Sequence, residues 1–219
     1  MKRKSEIIKI FIKENLKWLV VFACIAIALL IIEDVMDEDI MMFDERGYFI
    51  VQKYLISDSI TPIAKCITNL ANAYWLIGFS FFLLIVIKDK RIGIYSAINL
   101  VLSASTNFIL KQIIQRPRPV GHRLIDEKGY SLPSGHSMVS MAFYGFLIYL
   151  IYKNVKNKYL KVFSIILLSI LIICIGVSRI YLGVHYTSDV ITGFLIAISY
   201  LIIFEHIINN IKNKIDKSN

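Results

Sequence analysis

Six stretches of uncharged, largely apolar sequence punctuate the chain, each near the length of about 20 residues that a helix needs to cross a bilayer. They run approximately Trp18–Ile32, Cys66–Ile87, Ile92–Leu110, Ser137–Tyr152, Val162–Gly176 and Val190–Phe204. In hydrocarbon every backbone polar group must be satisfied within its own segment, so runs of this kind predict helices. The expected fold is all-α, an integral membrane bundle of six transmembrane helices forming one domain over residues 1–219. The shorter runs need flanking Lys17 and Lys161 to snorkel, or helices that continue past the apolar stretch. Composition agrees: 57% of the 219 residues are hydrophobic and the mean hydropathy is +0.64, above the apolar share of roughly 45–50% in soluble domains. Scarce glycine (10) and proline (4) argue against collagen-like and linker-dominated chains.

The net charge of +9 does not indicate a nucleic-acid partner, because the basic residues fall in short clusters between the uncharged runs rather than along one polar face. It reads instead as topology. With the N-terminus cytoplasmic, 16 of the 25 Lys and Arg residues lie on that side, giving +11 there and −2 on the opposite face. The positive-inside rule therefore puts both termini in the cytoplasm. The basic start followed by an apolar run also resembles a secretory signal, but EDVMDED follows in place of a small-residue cleavage site, so an uncleaved anchor is expected. From Asp34 to Ser59, acids alternate with Met, Phe, Tyr and Ile at spacings that suit either an interfacial amphipathic helix between spans 1 and 2 or a solvated loop. Cys24, Cys66 and Cys174 form no CxxC or paired framework and read as buried packing residues.

Three clusters in the outer segments carry chemistry. Lys111 and Arg118-Pro119, at the outer end of span 3, offer a mobile point charge and a planar fork of donors, a combination suited to phosphate oxygens; snorkelling is the alternative. Pro133-Ser134-Gly135-His136 precedes span 4, where free N–H groups of Ser134, Gly135 and His136 at a helix start can face an anion with an imidazole at the rim, unless the histidine merely faces water. Ser178-Arg179, then His185 and Asp189, link spans 5 and 6. A four-residue spacing on a helical turn brings the carboxylate beside the imidazole, where it fixes one tautomer, although a purely structural His–Asp pair fits too.

Together the spacing Lys-x6-Arg-Pro, Pro-Ser-Gly-His and Ser-Arg-x5-His-x3-Asp, within Lys111–Asp189, resembles the type 2 phosphatidic acid phosphatase superfamily of membrane lipid phosphatases. One departure is Thr187, where many relatives have proline. The resemblance implies that His185 attacks phosphorus and forms a phosphohistidine, that Asp189 orients it, and that His136 protonates the leaving oxygen and then activates water. It assigns Lys111, Arg118, Arg179 and the amides near Ser134 and Gly135 to the phosphoryl oxygens, with no metal or other cofactor, the three cations doing the neutralising. The substrate so implied is a lipid mono- or diphosphate reached from the bilayer, with undecaprenyl diphosphate first and phosphatidic acid, phosphatidylglycerol phosphate and diacylglycerol pyrophosphate behind it. The compact size resembles bacterial members, which implies the bacterial plasma membrane and an active site on the extracytoplasmic face. A phosphatase of soluble esters and a non-hydrolysing lipid-binding or transport protein are the competing readings. His122, Arg116, Arg123, Glu205 and His206 stay outside the predicted site, Arg116 and Arg123 as residues of a solvated face.

Overall fold

The computed structural model of the chain describes residues 2–37, 42–121 and 123–218; His122 lies outside them. Among these residues the regular elements are eight α-helices: α1 (Lys2–Asp37), α2 (Met42–Tyr54), α3 (Thr61–Asn69), α4 (Ala73–Val86), α5 (Lys90–Ile114), α6 (Gly135–Asn154), α7 (Lys158–Tyr181) and α8 (Thr187–Ser218). Five stretches are long and apolar enough to cross a membrane, namely Asn15–Asp37 of α1, α5, α6, α7 and Thr187–Lys214 of α8. The sixth apolar run is broken: α3 and α4 pass the same test only as a pair, bent by 49°. Asparagine explains the break. Asn72 takes up an extended backbone (ψ 147°) and donates through Nδ2 to Asn69 Oδ1 at 2.9 Å, a local bond that competes with the helical ladder.

Helix starts are set by side-chain caps: Asp89 accepts the Arg91 amide, Ser134 that of Ser137 and Asn157 that of Leu160. Helices α5 and α7 run a turn or more beyond their apolar stretches, to Ile114 and Tyr181, because Lys111 and Arg179 find hydrogen-bond acceptors inside the protein. At the centre is α6, which packs against α5, α7 and α8 and buries Met138, Ala142, Phe143 and Phe146. Outward, Phe22, Leu29 and Leu30 of α1 and Phe163, Ile166 and Ile170 of α7 are exposed. So much contiguous apolar surface is tolerable only against an apolar environment.

Between α1 and α3, residues 42–54 are helical, while 38–41 lie outside the described residues. Helix α2 rests on α7 and α8, burying Asp44 and Val51 while exposing Met42, Phe43, Phe49, Ile50 and Tyr54. Gly47 makes that approach possible, since a methyl group there would overlap the Thr187 hydroxyl. One expectation fails in part: Cys24 is buried, but Cys174 is only half-buried and Cys66 is exposed. Ala64 and Thr68 form the buried side of the short helix α3, and Cys66, two residues from each, falls on its outer side.

Candidate active site

The end of α7, a turn through Gly183 (φ +70°) and the first turn of α8 place His185 and Asp189 side by side. His185 Nδ1 lies 3.2 Å from Asp189 Oδ2, which also accepts the Tyr186 amide at 2.9 Å. On the other edge of the ring, Arg118 Nη1 lies 3.1 Å from His185 Nε2. A guanidinium can only donate, so Nε2 presents its lone pair and Nδ1 carries the proton that goes to Asp189. Both residues are enclosed, at 3% and 0% exposure. Burial first, then the charges of Arg179, Lys111 and Arg118, hold the His185 imidazole well below its usual pKa, so the ring is neutral.

The three predicted cations gather on one short segment, residues 127–131. Lys111 Nζ donates to the carbonyls of Tyr130 and Ser131, the latter at 3.0 Å. Arg118 donates through Nε to the Gly129 carbonyl and through Nη2 to that of Lys128, both at 3.0 Å, and through Nη1 to that of Val184 at 2.9 Å. Arg179 reaches Thr68 Oγ1 at 2.8 Å and pairs with the Glu127 carboxylate, whose other oxygen lies 3.7 Å from Arg118. Burial lowers the Arg118 pKa, opposed by the nearby Glu127 and Asp189 carboxylates. Three elements from separate parts of the sequence thus bring positive charge to bear on His185, with Arg118 at its Nε2 edge, partly balanced by Glu127.

The third cluster sits at the start of α6. Ser134 is the cap, but its N–H is not free as the sequence suggests: it donates to the Asp189 carbonyl at 3.0 Å, which ties the Pro-Ser-Gly-His turn to α8. The amides of Gly135 and His136, the first two residues of α6, have no acceptor within the helix. Asn107 of α5 fixes the same turn through the Pro133 carbonyl at 3.1 Å. His136 Nε2 lies 2.8 Å from Asn72 Oδ1, at the break between α3 and α4. Since Asn72 Nδ2 is committed to Asn69, its oxygen faces the imidazole and His136 donates from Nε2.

Sequence reasoning missed four participants, Asp44, Thr68, Asn72 and Glu127, and misplaced Arg116. Instead of facing water, Arg116 is 4% exposed and bonded to Asp44, Ser188 and Asp189. Its signal was its place two residues before Arg118. The others lie outside any recognisable spacing. Arg123 is exposed, as expected, with Nε on the Pro119 carbonyl.

Fold and site define a helical membrane protein in which a buried His–Asp dyad faces a cluster of three cations. A match to the PAP2 superfamily model over residues 92–213 covers more than half of the chain, which belongs to that superfamily. Phosphatidylglycerophosphatase B of Bacillus subtilis (strain 168) is 38% identical over 90 residues, 40% of this chain and 44% of that protein. Sphingosine-1-phosphate phosphatase 1 of Rattus norvegicus is 33% identical over 152 residues (67% and 34%), and dolichyldiphosphatase 1 of Homo sapiens 30% over 155 (64% and 63%). The chain thus spans less than two thirds of the length of these curated relatives. In fold, it resembles the crystal structure of a transmembrane PAP2-type phosphatidylglycerolphosphate phosphatase from Bacillus subtilis (TM-score 0.79, 22% identity, 87% of this chain and 96% of that one). It also resembles Aquifex aeolicus LpxE (TM-score 0.62, 24% identity, 77% and 98%).

Proposed function

We propose that this protein is a membrane phosphatase that removes the terminal phosphate of a lipid mono- or diphosphate through a phosphohistidine at His185. The observation that carries the reading is the orientation of His185, whose Nε2 lone pair faces the Arg118 guanidinium while Asp189 holds Nδ1–H. The phosphoryl group takes the place of the carbonyl and carboxylate partners around Lys111, Arg118 and Arg179, with the Gly135 and His136 amides as further donors and Ser134 capping that turn. These fixed charges stabilise the spread negative charge of the transition state and remain when the lipid leaves. Nε2 attacks phosphorus as the bond to the lipid oxygen breaks, and protonated His136 gives that oxygen its proton. His136 then takes a proton from water, the hydroxide attacks phosphorus, the P–N bond breaks and the lone pair returns to Nε2 with release of inorganic phosphate.

A lipid substrate is supported by the site's position at the end of an apolar bundle and by a largely apolar cavity of about 240 Å³ that reaches His185 between α2 and the α7–α8 turn, with Tyr48, Val120, Ile180 and Tyr186 among its walls. The charge distribution along the sequence supports cytoplasmic termini, a site on the extracytoplasmic face of a bacterial plasma membrane, and α2 lying along the outer interface with Phe43, Phe49 and Ile50 toward lipid. The relatives' names differ in the phosphorylated lipid, so the panel is broad; undecaprenyl diphosphate stands first in it on the resemblance of this chain to compact bacterial members.

The test is release of inorganic phosphate from undecaprenyl diphosphate, phosphatidic acid, phosphatidylglycerol phosphate and diacylglycerol pyrophosphate in mixed micelles, with His185→Ala as blank. Release from at least one lipid, lost in the variant, is expected. Equal rates on short water-soluble esters would replace the lipid reading, and binding without release would replace the enzyme reading.

A further inference from the structure

The buried side of α2 meets the start of α8 in one ion network. Asp44, 2% exposed, accepts the Ser188 amide through Oδ1 at 2.7 Å and the Ser188 hydroxyl through Oδ2 at 2.8 Å, so α2 caps α8 from outside. The same Oδ2 accepts Arg116 Nη2 at 2.8 Å. Arg116 Nη1 continues to Asp189 Oδ1 and to Ser188 Oγ, both at 2.7 Å, with the guanidinium 4.0 Å above the Tyr186 ring. One oxygen of Asp189 is therefore held by Arg116 while the other accepts His185 and the Tyr186 amide, which sets the plane of the carboxylate relative to the imidazole.

We propose that Arg116 and Asp44 are positioning residues for phosphoryl transfer at His185, so that α2 is a working part of the catalytic end of the bundle. The inference rests on the reading of His185 as nucleophile. Neither side chain is bonded to the Nε2 edge where phosphorus would sit; both act through Asp189. The charged groups facing His185 are Lys111 from α5, Arg118 from the loop after it, Arg179 from α7, Asp189 from α8 and, when protonated, His136 from α6, with Glu127 beside Arg118 and Arg179. Removing the Arg116 cation takes from Asp189 its directly bonded counter-charge and leaves Lys111 and Arg118 as more distant cations, with His185 the group hydrogen-bonded to it that can take up a proton. A proton then settles on the pair more readily, and Nε2 is converted from lone pair to N–H. Asp44 acts more weakly, by orienting Arg116 and the first turn of α8.

The test uses the full chain in mixed micelles with dioleoyl phosphatidic acid, comparing wild type with Arg116→Gln, Arg116→Lys, Asp44→Asn, Gly47→Leu and His185→Ala. Steady-state kinetics are measured across pH and normalised to folded protein. For Arg116→Gln a fall of about 100-fold in kcat is expected with KM little changed, the size of loss that misplacement of a reacting group brings. Its acid limb should move to higher pH, and Arg116→Lys should recover part of the rate. Asp44→Asn and Gly47→Leu, which lifts α2 off Thr187, should lose less and also in kcat; they keep the test open if Arg116→Gln does not fold. Wild-type kcat per folded molecule and an unmoved acid limb in the folded Arg116 and Asp44 variants, beside an inactive His185→Ala, would overturn the positioning role and leave the nucleophile intact. Wild-type turnover in His185→Ala would instead remove the reading on which it rests.

Discussion

Replacing Asp189 by asparagine changes charge without changing shape, and the hydrogen bonds around it predict the outcome. With its carbonyl oxygen toward His185 and Tyr186, the introduced amide would turn its NH2 onto Arg116 Nη1, leaving a buried guanidinium against a donor. Asparagine removes the carboxylate charge in either orientation, so the buried ion pair with Arg116 is broken in both, a cost of about 3–5 kcal/mol in stability. In the flipped orientation the oxygen stays on Arg116 and the NH2 faces His185 Nδ1, at the expense of an unmet Tyr186 N–H, a loss of about 1–3 kcal/mol. The flipped form also sets a His185 Nε2–H against Arg118 Nη1, so each orientation leaves at least one buried donor facing a donor, at about 1–3 kcal/mol apiece. To the extent that the flipped form is populated, His185 accepts at Nδ1 and carries its proton on Nε2, where no lone pair remains to attack; the other orientation keeps the lone pair but has lost the charge that holds the ring. Loss of the carboxylate that balances the charged phosphohistidine adds to this, and a fall in kcat of about 10³–10⁴-fold is expected, comparable to other hydrolases whose orienting aspartate is made asparagine. The assay is phosphate release from a lipid substrate, normalised to folded protein by circular dichroism. A folded Asp189→Asn variant within tenfold of wild type would refute the tautomer argument.

His136→Ala should lower turnover by about 10²–10⁴-fold, as for a lost general acid, and most for alkyl leaving groups; equal losses on a nitrophenyl phosphate and a lipid phosphate would remove the acid role. Because burial and three cations hold the His185 pKa below 6.5, the acid limb of kcat/KM due to this group should lie under that value, and Arg179→Gln should raise it. The same shift predicts a stability trend. Above pH 6.5 the folded and unfolded imidazoles are both neutral; as pH falls below it only the unfolded chain binds the proton, so stability declines until the folded His185 protonates, which chemical denaturation at pH 7.5 and 5.5 can read. Activity should persist in EDTA and fall with orthovanadate, which mimics pentavalent phosphorus; loss in EDTA restored by magnesium would contradict neutralisation by side chains alone.

The helices were legible because hydrocarbon permits little else, and the five unbroken spans lie where the apolar runs put them, with α5 and α7 extended by Lys111 and Arg179. The break at Leu70–Asn72 was hidden, since Asn69 and Asn72 are uncharged and sit inside an apolar stretch; only their mutual bond shows that they end one helix and start another. The His185–Asp189 pairing was legible from a four-residue spacing on a helical turn. Asp44 and Arg116 were not, because one acid among several on an amphipathic segment and a basic residue in a loop both read as solvated until tertiary packing buries them against each other. Glu127 escaped for the same reason: its role comes from Arg118 and Arg179, one of them more than fifty residues away in the chain. Ser134 was read correctly as a cap but wrongly as a free donor, since sequence carries no sign that the Asp189 carbonyl would occupy its amide.

The most direct test is covalent. Rapid acid-free quenching of the enzyme during turnover of a lipid substrate carrying 32P in its terminal phosphate, followed by peptide mapping under alkaline conditions, reads where the phosphoryl group has been held. Acid-labile, base-stable label on the peptide that contains His185, absent from His185→Ala, is the expected result. Label on the His136 peptide, or full turnover by the His185→Ala variant with no label there, would contradict the assignment of His185 as the nucleophile.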